Sequence, residues 1–324
     1  MEVTCVRVPV TEGEKTRQQL AGQGVIDDEY EITVADGVLY IPVTEAVSGY
    51  EVVTRDAPTR DTLTMPADIL GFEPAYERIG QIAIIDEDDD ARAQEIADAI
   101  AQSDLPLDTV INRASKVQGE LRVRDWDILV GDSTETVHRE YGCDFRLDLA
   151  TVYFSPRLAT ERHRVTEQAT ADEQVFDMFA GVGPFAIPFA KRGATVIGTD
   201  LNEVAVQYME ENARRNDVAD RVTAIHGDVR EVATEYTGWA DRIVMNLPHT
   251  ANEFLETAVA LAGDECVLHY YDFQSEDDPY SPGEAAIRAA AEPAYNVTVE
   301  TRHTVRSYAP HEVNVCLDVR LTKA

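Results

Sequence analysis

No run of eighteen apolar residues occurs in the 324-residue chain, which excludes a membrane-spanning helix. The opening segment, MEVTCVRVPVTEGEK, lacks a secretory h-region and reads as an edge strand leading into a helix, so the expected address is the cytoplasm. Cysteine is sparse. Cys5, Cys143, Cys266 and Cys316 lie far apart and form no Cys-x-x-Cys pair, which argues against a clustered zinc site and for isolated reduced thiols; no metal is expected. Internal repeats and low-complexity tracts are missing. Positive charge is scarce: 28 Lys and Arg against 60 Asp and Glu leave a net charge of −32. Disorder does not fit this excess, because 44% of residues are hydrophobic and strand patterns are dense. A cationic partner and a salt-rich cytoplasm stay as explanations. The acid is spread over every segment and lysine is rare beside arginine, which favours a surface hydrated for high salt. Such a charge does not exclude nucleic acid, since at about 1 M salt the Debye length is roughly 3 Å.

The chain is expected to hold a small α/β module at residues 1–53, a linker at 54–73, a second α/β module at 74–161 and a third region at 162–324. In the first module VTCVRVPV alternates as a strand and GEKTRQQLAGQG reads as a short helix. EITVADGVLYIPV reads as a hairpin turning at Asp36-Gly37. The stretch from Arg55 to Gly71 is rich in Pro, Thr and Asp and poor in periodicity, as a linker is. In the second module IGQIAIID is expected as one strand, and DEDDDARAQEIADAIAQS as a helix whose acidic first turn suits the helix dipole. LDTVINRAS, ELRVRDWDILVG and TETVHREYGCDFRLDLATVYFSP alternate as strands. The third region alternates strand and helix, as a doubly wound sheet does.

Within it, FDMFAGVGPFAIPFAKRGATVIGTDLN stands out. A buried strand runs into Phe179-Ala180-Gly181-Val182-Gly183, a helix follows, and the next strand closes on Asp200. Glycine lets backbone approach a ligand without a Cβ in the way. The third glycine of the dinucleotide fingerprint is missing, which points away from a pyrophosphate. A carboxylate at Asp200 can accept from ribose hydroxyls. VTAIHGD ends on Asp228, and ADRIVMN leads into Asn246-Leu247-Pro248. Either Asp can instead cap the next helix. All four strand ends in this order match Rossmann-class S-adenosylmethionine-dependent methyltransferases, whose ligands bind beyond the carboxyl ends of the strands.

Six segments in order sharpen that match: FRLDLATVYFSPRLATERHRV, VFDMFAGVGPFAIPFAKRG, GDVRE, RIVMNLP, VLHYYDF and VRSYAP. Together they resemble the archaeal and eukaryotic tRNA (guanine-37-N1)-methyltransferases over nearly the whole chain. The resemblance implies an α/β protein: a C-terminal Rossmann-class S-adenosylmethionine-dependent domain behind two smaller α/β RNA-binding modules, the first reading the tRNA elbow. It implies S-adenosylmethionine as cofactor and tRNA carrying G37 as partner. A monomer without membrane association is expected, and no protein partner is implied. Glu161 falls where the family has its general base, Arg122 where it has the arginine steadying the guanine, and Asn246 and Pro248 in the motif holding the flipped base. Tyr153 and Arg162 fall in the same pocket. Cofactor contacts are implied at Arg162, Phe179, Gly181, Gly183, Asp200, Leu201, Asp228, Val229 and Asn246. Two rival functions remain: an aminocarboxypropyl transferase of the wybutosine pathway on the same fold, and a non-catalytic tRNA-binding protein.

The chemistry suits these residue types. Guanine N1 is protonated at neutral pH and a poor nucleophile until a carboxylate takes its proton. Charge then builds on O6, where a guanidinium stabilises it. Glu161 has an alternative role as ion-pair partner of Arg157, Arg162 or Arg164. Local positive density is also unexpected in so acidic a chain. Arg113, Lys116, Arg122 and Arg124 lie close together, as do Arg139, Arg146, Arg157, Arg162 and Arg164, with Tyr141, Phe145, Tyr153 and Phe154 interleaved. Arginine forks and aromatic faces hold RNA loops, so Arg113, Lys116, Arg124, Tyr153, Arg157 and Pro248 are the expected RNA contacts. The bland alternative is a set of salt-bridged strands.

Overall fold

A computed structural model describes residues 2–60, 63–115 and 124–324. Contacts divide the chain into two units, Met1–Ile69 with Ser103–Leu105, and Leu70–Gln102 with Pro106–Ala324. In the first, strand β1 (Glu2–Pro9) leads to helix α1 (Gly13–Gln23) and strands β2 (Thr33–Ala35), β3 (Val38–Pro42) and β4 (Glu51–Asp56). They form an antiparallel sheet in the order β2-β3-β1-β4. The β2–β3 turn has Asp36 at φ 52° and Gly37 at φ 75°, the two positive values a type I′ turn demands. Val6, Val8, Leu20, Ile41 and Val43 close its core. The stretch expected as a linker is not structureless. It carries the end of β4 and a one-turn helix α2 (Pro66–Leu70), opened by Pro66 and by Asp68 accepting from the Met65 amide at 2.8 Å.

The second unit begins with β5 (Glu77–Ile79), β6 (Ile82–Ile85), α3 (Asp90–Gln102), β7 (Thr109–Arg113) and β8 (Trp126–Val130). IGQIAIID, expected as one strand, turns back at Gly80, whose φ is 57°. β6 and β7 are parallel and joined through α3, which buries Ala93, Ile96, Ala97 and Ile100 at helical spacing. A hairpin follows, β9 (Glu135–Glu140) and β10 (Cys143–Asp148), then α4 (Ala159–Thr166).

The rest is β11 (Gln174–Asp177), α5 (Ala186–Lys191), β12 (Thr195–Asp200), α6 (Glu203–Arg215), β13 (Val222–His226), α7 (Val229–Val232), β14 (Ala240–Met245), α8 (Leu255–Leu261), β15 (Ala262–Ser275), α9 (Ser281–Ala291), β16 (Tyr295–Ala309) and β17 (Glu312–Lys323). They build a seven-stranded sheet in the order β13-β12-β11-β14-β15-β17-β16, parallel except at β17. Strand order reverses between β11 and β14, which opens the crevice where ligands of such sheets bind. The β9–β10 hairpin is bonded to α6 of this sheet. Asn212 accepts from the Arg146 amide at 2.7 Å and Asn216 from the Asp144 amide at 2.9 Å, so two side chains one turn apart act as a strand edge for β10. All four cysteines are free and buried. No helix among the described residues is long and apolar enough to cross a membrane.

Candidate active site

The crevice at the β11–β14 switch is built from the glycine loop outward. Gly181 has φ 53° and Gly183 φ 88°, which side chains rarely adopt, and nothing lies within 4 Å of where a Cβ on Gly181 would stand. The Gly181 amide donates to Asp200 Oδ2 at 2.7 Å and the Asn202 amide to Oδ1 at 2.8 Å. Each oxygen keeps acceptor capacity for a hydroxyl. Burial raises the Asp200 pKa, against the two amides that lower it. The capping alternative fails for Asp200, because Asn202 caps α6, accepting from Val204 at 3.0 Å. It holds for Asp228, which accepts from the Arg230 amide at 2.9 Å and pairs with the Arg230 guanidinium; that pair lowers its pKa. Phe179 stands edge-on to Phe254 at 5.0 Å, and Arg230 lies over the same ring, so Phe179 and Asp228 share one wall. Leu201 is exposed beside Asp200, whereas Val229 is buried in the core.

Asp177, at the end of β11, was not singled out from the sequence. Its carboxylate is 1% exposed, and neither oxygen has a hydrogen bond of normal geometry. Burial, with Asp200 adding to it, pushes its pKa up to about 7. A buried acceptor beside a glycine loop is where a cation is welcome. The signal was present, an acidic residue closing the strand VFD, but FDMF reads as core.

Glu161 on α4 is 4% exposed and fully engaged. Arg164 donates to it from Nε at 2.7 Å and Nη2 at 2.8 Å, Tyr271 donates its hydroxyl at 2.8 Å, and His303 Nε2 approaches Oε2 to 3.2 Å. Arg164 is itself fixed by Asp318 at 2.6 Å. Asp318 also pairs with His269 Nδ1 at 2.7 Å, and His269 Nε2 meets Arg242 at 2.7 Å. Arginine can only donate, so His269 Nε2 accepts and its Nδ1 carries the proton. Burial works to raise the Asp318 pKa, but His269 and Arg164 overcome it and hold it well below the carboxylate range. His269, Cys316 and Asp318 lie close enough to share an ion, yet the hydrogen bonds above already occupy both His269 nitrogens and both Asp318 oxygens.

Asn246 follows β14 and leads through Leu247 and Pro248 to His249, held at φ 86°. The His249 ring lies 4.3 Å from that of Phe273, which lies tilted against Tyr308 at 3.9 Å. In the register that pairs Met245 with Tyr270, Tyr271 falls beside Asn246.

Comparison with known proteins decides the family. Residues 136–299 match the TRM5/TYW2 methyltransferase domain, residues 5–51 the tRNA methyltransferase 5 N-terminal domain, and residues 62–134 the TYW2 N-terminal domain. The chain is 41% identical over 331 residues to the tRNA (guanine(37)-N(1))-methyltransferase Trm5b of Pyrococcus abyssi, covering 98% of each chain. It belongs to the TRM5/TYW2 methyltransferase family. It is an S-adenosylmethionine-dependent methyltransferase. The crystal structure of P. abyssi Trm5b matches with a TM-score of 0.72 over 99% of both chains. A complex of aTrm5 with tRNALeu matches at 28% identity and a TM-score of 0.72, over 98% of this chain and 99% of that one. P. horikoshii TYW2 in complex with MeSAdo matches at 31% identity and a TM-score of 0.70, over 80% of this chain and 96% of that one. The crevice suits the family's cofactor: the Asp177 oxygens, which have no hydrogen bond of normal geometry, fit an ammonium, Asp200 fits ribose hydroxyls, and Gly181 leaves room for close approach.

The other residues expected in this family's site stand as follows. Arg162 is 4% exposed, and its Nε and Nη2 are taken by Glu140 at 3.0 and 2.6 Å. Nη2 also reaches the Ser155 carbonyl, so this arginine docks α4 onto β9 and has no cofactor contact to offer through those atoms. Arg122 and Lys116 lie outside the described residues. The remaining arginines are not a bare cationic patch. Arg113 pairs with Asp86 and Glu77, Arg157 with Glu77, Arg139 with Asp144, and Arg146 with Glu135 and Glu211. The salt-bridged alternative therefore describes them in this state, because so acidic a chain supplies each with a partner. Arg124 lies over the Trp126 ring at 5.3 Å, and Tyr153 is exposed.

Proposed function

We propose that this chain transfers the methyl group of S-adenosylmethionine to N1 of guanosine 37 in tRNA, giving 1-methylguanosine. The observation that carries this reading is the match over 98% of the chain to a tRNA (guanine(37)-N(1))-methyltransferase. The aminocarboxypropyltransferase of P. horikoshii matches over 80%. When bound, S-adenosylmethionine supplies an electrophilic methyl group on a sulfonium. Asp177 holds its ammonium, Asp200 its ribose, with Gly181, Gly183, Phe179, Leu201 and Asp228 around it. Val229 supports this wall from the core. Asn246 and Pro248 present the guanine, and Arg122 steadies the charge on O6. Glu161 takes the N1 proton. It is already held without side-chain freedom by Arg164 and Tyr271, which orients it before substrate arrives. Arg113, Lys116, Arg124, Tyr153 and Arg157 hold the anticodon loop. Surface ion pairs contribute little, so exposed arginines such as Arg157 can exchange a carboxylate for a phosphate at small cost. Residues 1–53 reach the tRNA elbow, and one copy in a salt-rich cytoplasm suffices for the reaction.

The test uses purified protein, methyl-labelled S-adenosylmethionine and an unmodified transcript with G37. Labelled 1-methylguanosine after nucleoside digestion is the expected product. No labelled 1-methylguanosine here, with aminocarboxypropyl transfer instead to a tRNA carrying 4-demethylwyosine at position 37 when the label is moved to the carboxyl of the cofactor, would sink the reading.

A further inference from the structure

A base that is 4% exposed must lose its proton before it can act again. Among the described residues three side chains touch the Glu161 carboxylate, and they differ in what they can do with a proton. Arg164 only donates, at 2.7 and 2.8 Å, and a guanidinium stays protonated. Tyr271 donates its hydroxyl to Oε1 and is 1% exposed; it takes a proton only by giving up its own inside the core. His303 differs from both. Its Nε2 lies 3.2 Å from Oε2, and its side chain is 38% exposed. Imidazole can accept a proton at one nitrogen and release one from the other.

The sheet explains how a buried carboxylate meets an exposed ring. Tyr271 is paired with Cys316, and Cys316 with His303, so the three stand in one row across β15, β17 and β16. β16 is the edge strand. The row runs from the packed core at Tyr271 to the open rim at His303, and Glu161 contacts its two ends.

We propose that His303 carries the substrate proton from Glu161 to solvent and so resets the base between turnovers. The proposal rests on Glu161 being the base. In the methyl-transfer step the N1–C bond forms while the sulfur–methyl bond breaks, its electron pair staying on sulfur. The N1 proton moves to Glu161 Oε2. Next the Oε2–H bond breaks as His303 Nε2–H forms, and Nδ1 gives a proton to water. One proton leaves per methyl transferred: Glu161 returns to its carboxylate, and His303, left with its proton on Nε2, regains the starting tautomer by a ring flip or by exchange with water at its exposed face.

Rapid mixing with an indicator dye in weak buffer follows proton release, while acid quench of labelled methyl follows transfer on the same enzyme. In the native enzyme one proton is expected per methyl, released within the transfer phase. In His303→Ala, release is expected to lag transfer tenfold or more and the steady-state rate to fall equally. The first turnover falls less than threefold. Added imidazole shortens the lag, since the position is open to solvent. His303→Gln, which keeps size and polarity, is expected to show the same lag and guards against a folding defect. Proton release in step with methyl transfer in both variants overturns the relay. So does a first turnover lowered tenfold in both, which would make His303 a positioning group, or a lag that imidazole leaves unchanged. A Glu161→Gln enzyme with a normal first turnover fails the base itself, a result that the His303 variants cannot produce.

Discussion

Asp177 and Glu161 are nearly equally buried, at 1% and 4% exposure, yet their surroundings are opposite. Asp177 has no hydrogen bond of normal geometry, and burial lifts its pKa to about 7. Glu161 receives two bonds from Arg164 and one from Tyr271, with His303 against its second oxygen. An unpaired buried carboxylate is costly and waits for a cation. A fully paired one is content and must give up a contact to meet a new donor. The cofactor side of the site is thus prepared for an arrival, while the base side is prepared for an exchange. His303, the most exposed of the neighbours of Glu161, is the contact that costs least to release.

Breaking the paired side should have the largest effect. Glu161→Gln keeps size and hydrogen bonding but cannot take the N1 proton. Single-turnover methyl transfer is expected to fall by roughly 10²–10⁴-fold, the usual scale for a lost general base, with cofactor and tRNA dissociation constants little changed. Near-normal transfer with weakened tRNA binding would leave Glu161 as an ion-pair partner of Arg164.

Breaking the unpaired side should cost binding and return stability. Asp177→Asn is expected to weaken S-adenosylmethionine by roughly 1.5–3 kcal/mol, the scale of a hydrogen bond to a charged group. The stability sign is the reverse. The folded pKa of about 7 lies above the ordinary 3.8, so the contribution of Asp177 is full below pH 3.8 and is lost as pH climbs to about 7. The variant escapes that loss. Its thermal midpoint without cofactor should exceed the native one by a margin that grows from pH 4 to 7 and then levels. Cofactor affinity of the native enzyme should tighten over the same rise, and that of the variant should not. A pH-independent difference would mean that Asp177 is not the titrating group.

Much of this comparison was legible in the sequence, and its limits have physical causes. The strand–glycine–helix order located Gly181 and Asp200, because loop chemistry and strand ends are local properties. The hairpin at Asp36-Gly37 was legible for the same reason. Asp177 escaped because an acid inside an apolar run reads as a strand end, and only tertiary packing removes its partners. Tyr271 and His303 escaped because cross-strand register brings them to Glu161 from 110 or more positions away, and Asp318 because it reaches Glu161 only through Arg164. Arg162 was legible as an important cation but not as a partner of Glu140, since two neighbouring arginines on α4 face opposite ways.

Asp200 sharpens the comparison from between the two extremes. It is bonded by two amides, yet each oxygen retains acceptor capacity. Asp200→Ala is expected to weaken S-adenosylmethionine by roughly 1.5–3 kcal/mol, with no gain in stability to offset it, because the mutation also frees the Gly181 amide. Calorimetry with unchanged affinity would remove Asp200 from the ribose.

Salt should separate surface from site, with the smallest effect of all on the chemistry. A net charge of −32 repels itself in dilute buffer. Raising KCl towards 1 M shortens the Debye length from about 10 Å at 0.1 M to roughly 3 Å, so the thermal midpoint is expected to rise with salt. Glu161 and Arg164 are shielded by protein, and buried pairs are screened far less than exposed ones. Single-turnover transfer at saturating tRNA should therefore change by less than about threefold over the range in which the protein stays folded. The tRNA dissociation constant should rise with salt meanwhile, because counterions displaced from its phosphates gain less free energy on release into concentrated salt. A thermal midpoint indifferent to KCl would count against the salt-adapted surface. A chemical step that follows KCl as steeply as the midpoint would mean that the Glu161 pocket opens to solvent during turnover, and that its four contacts describe only the resting enzyme.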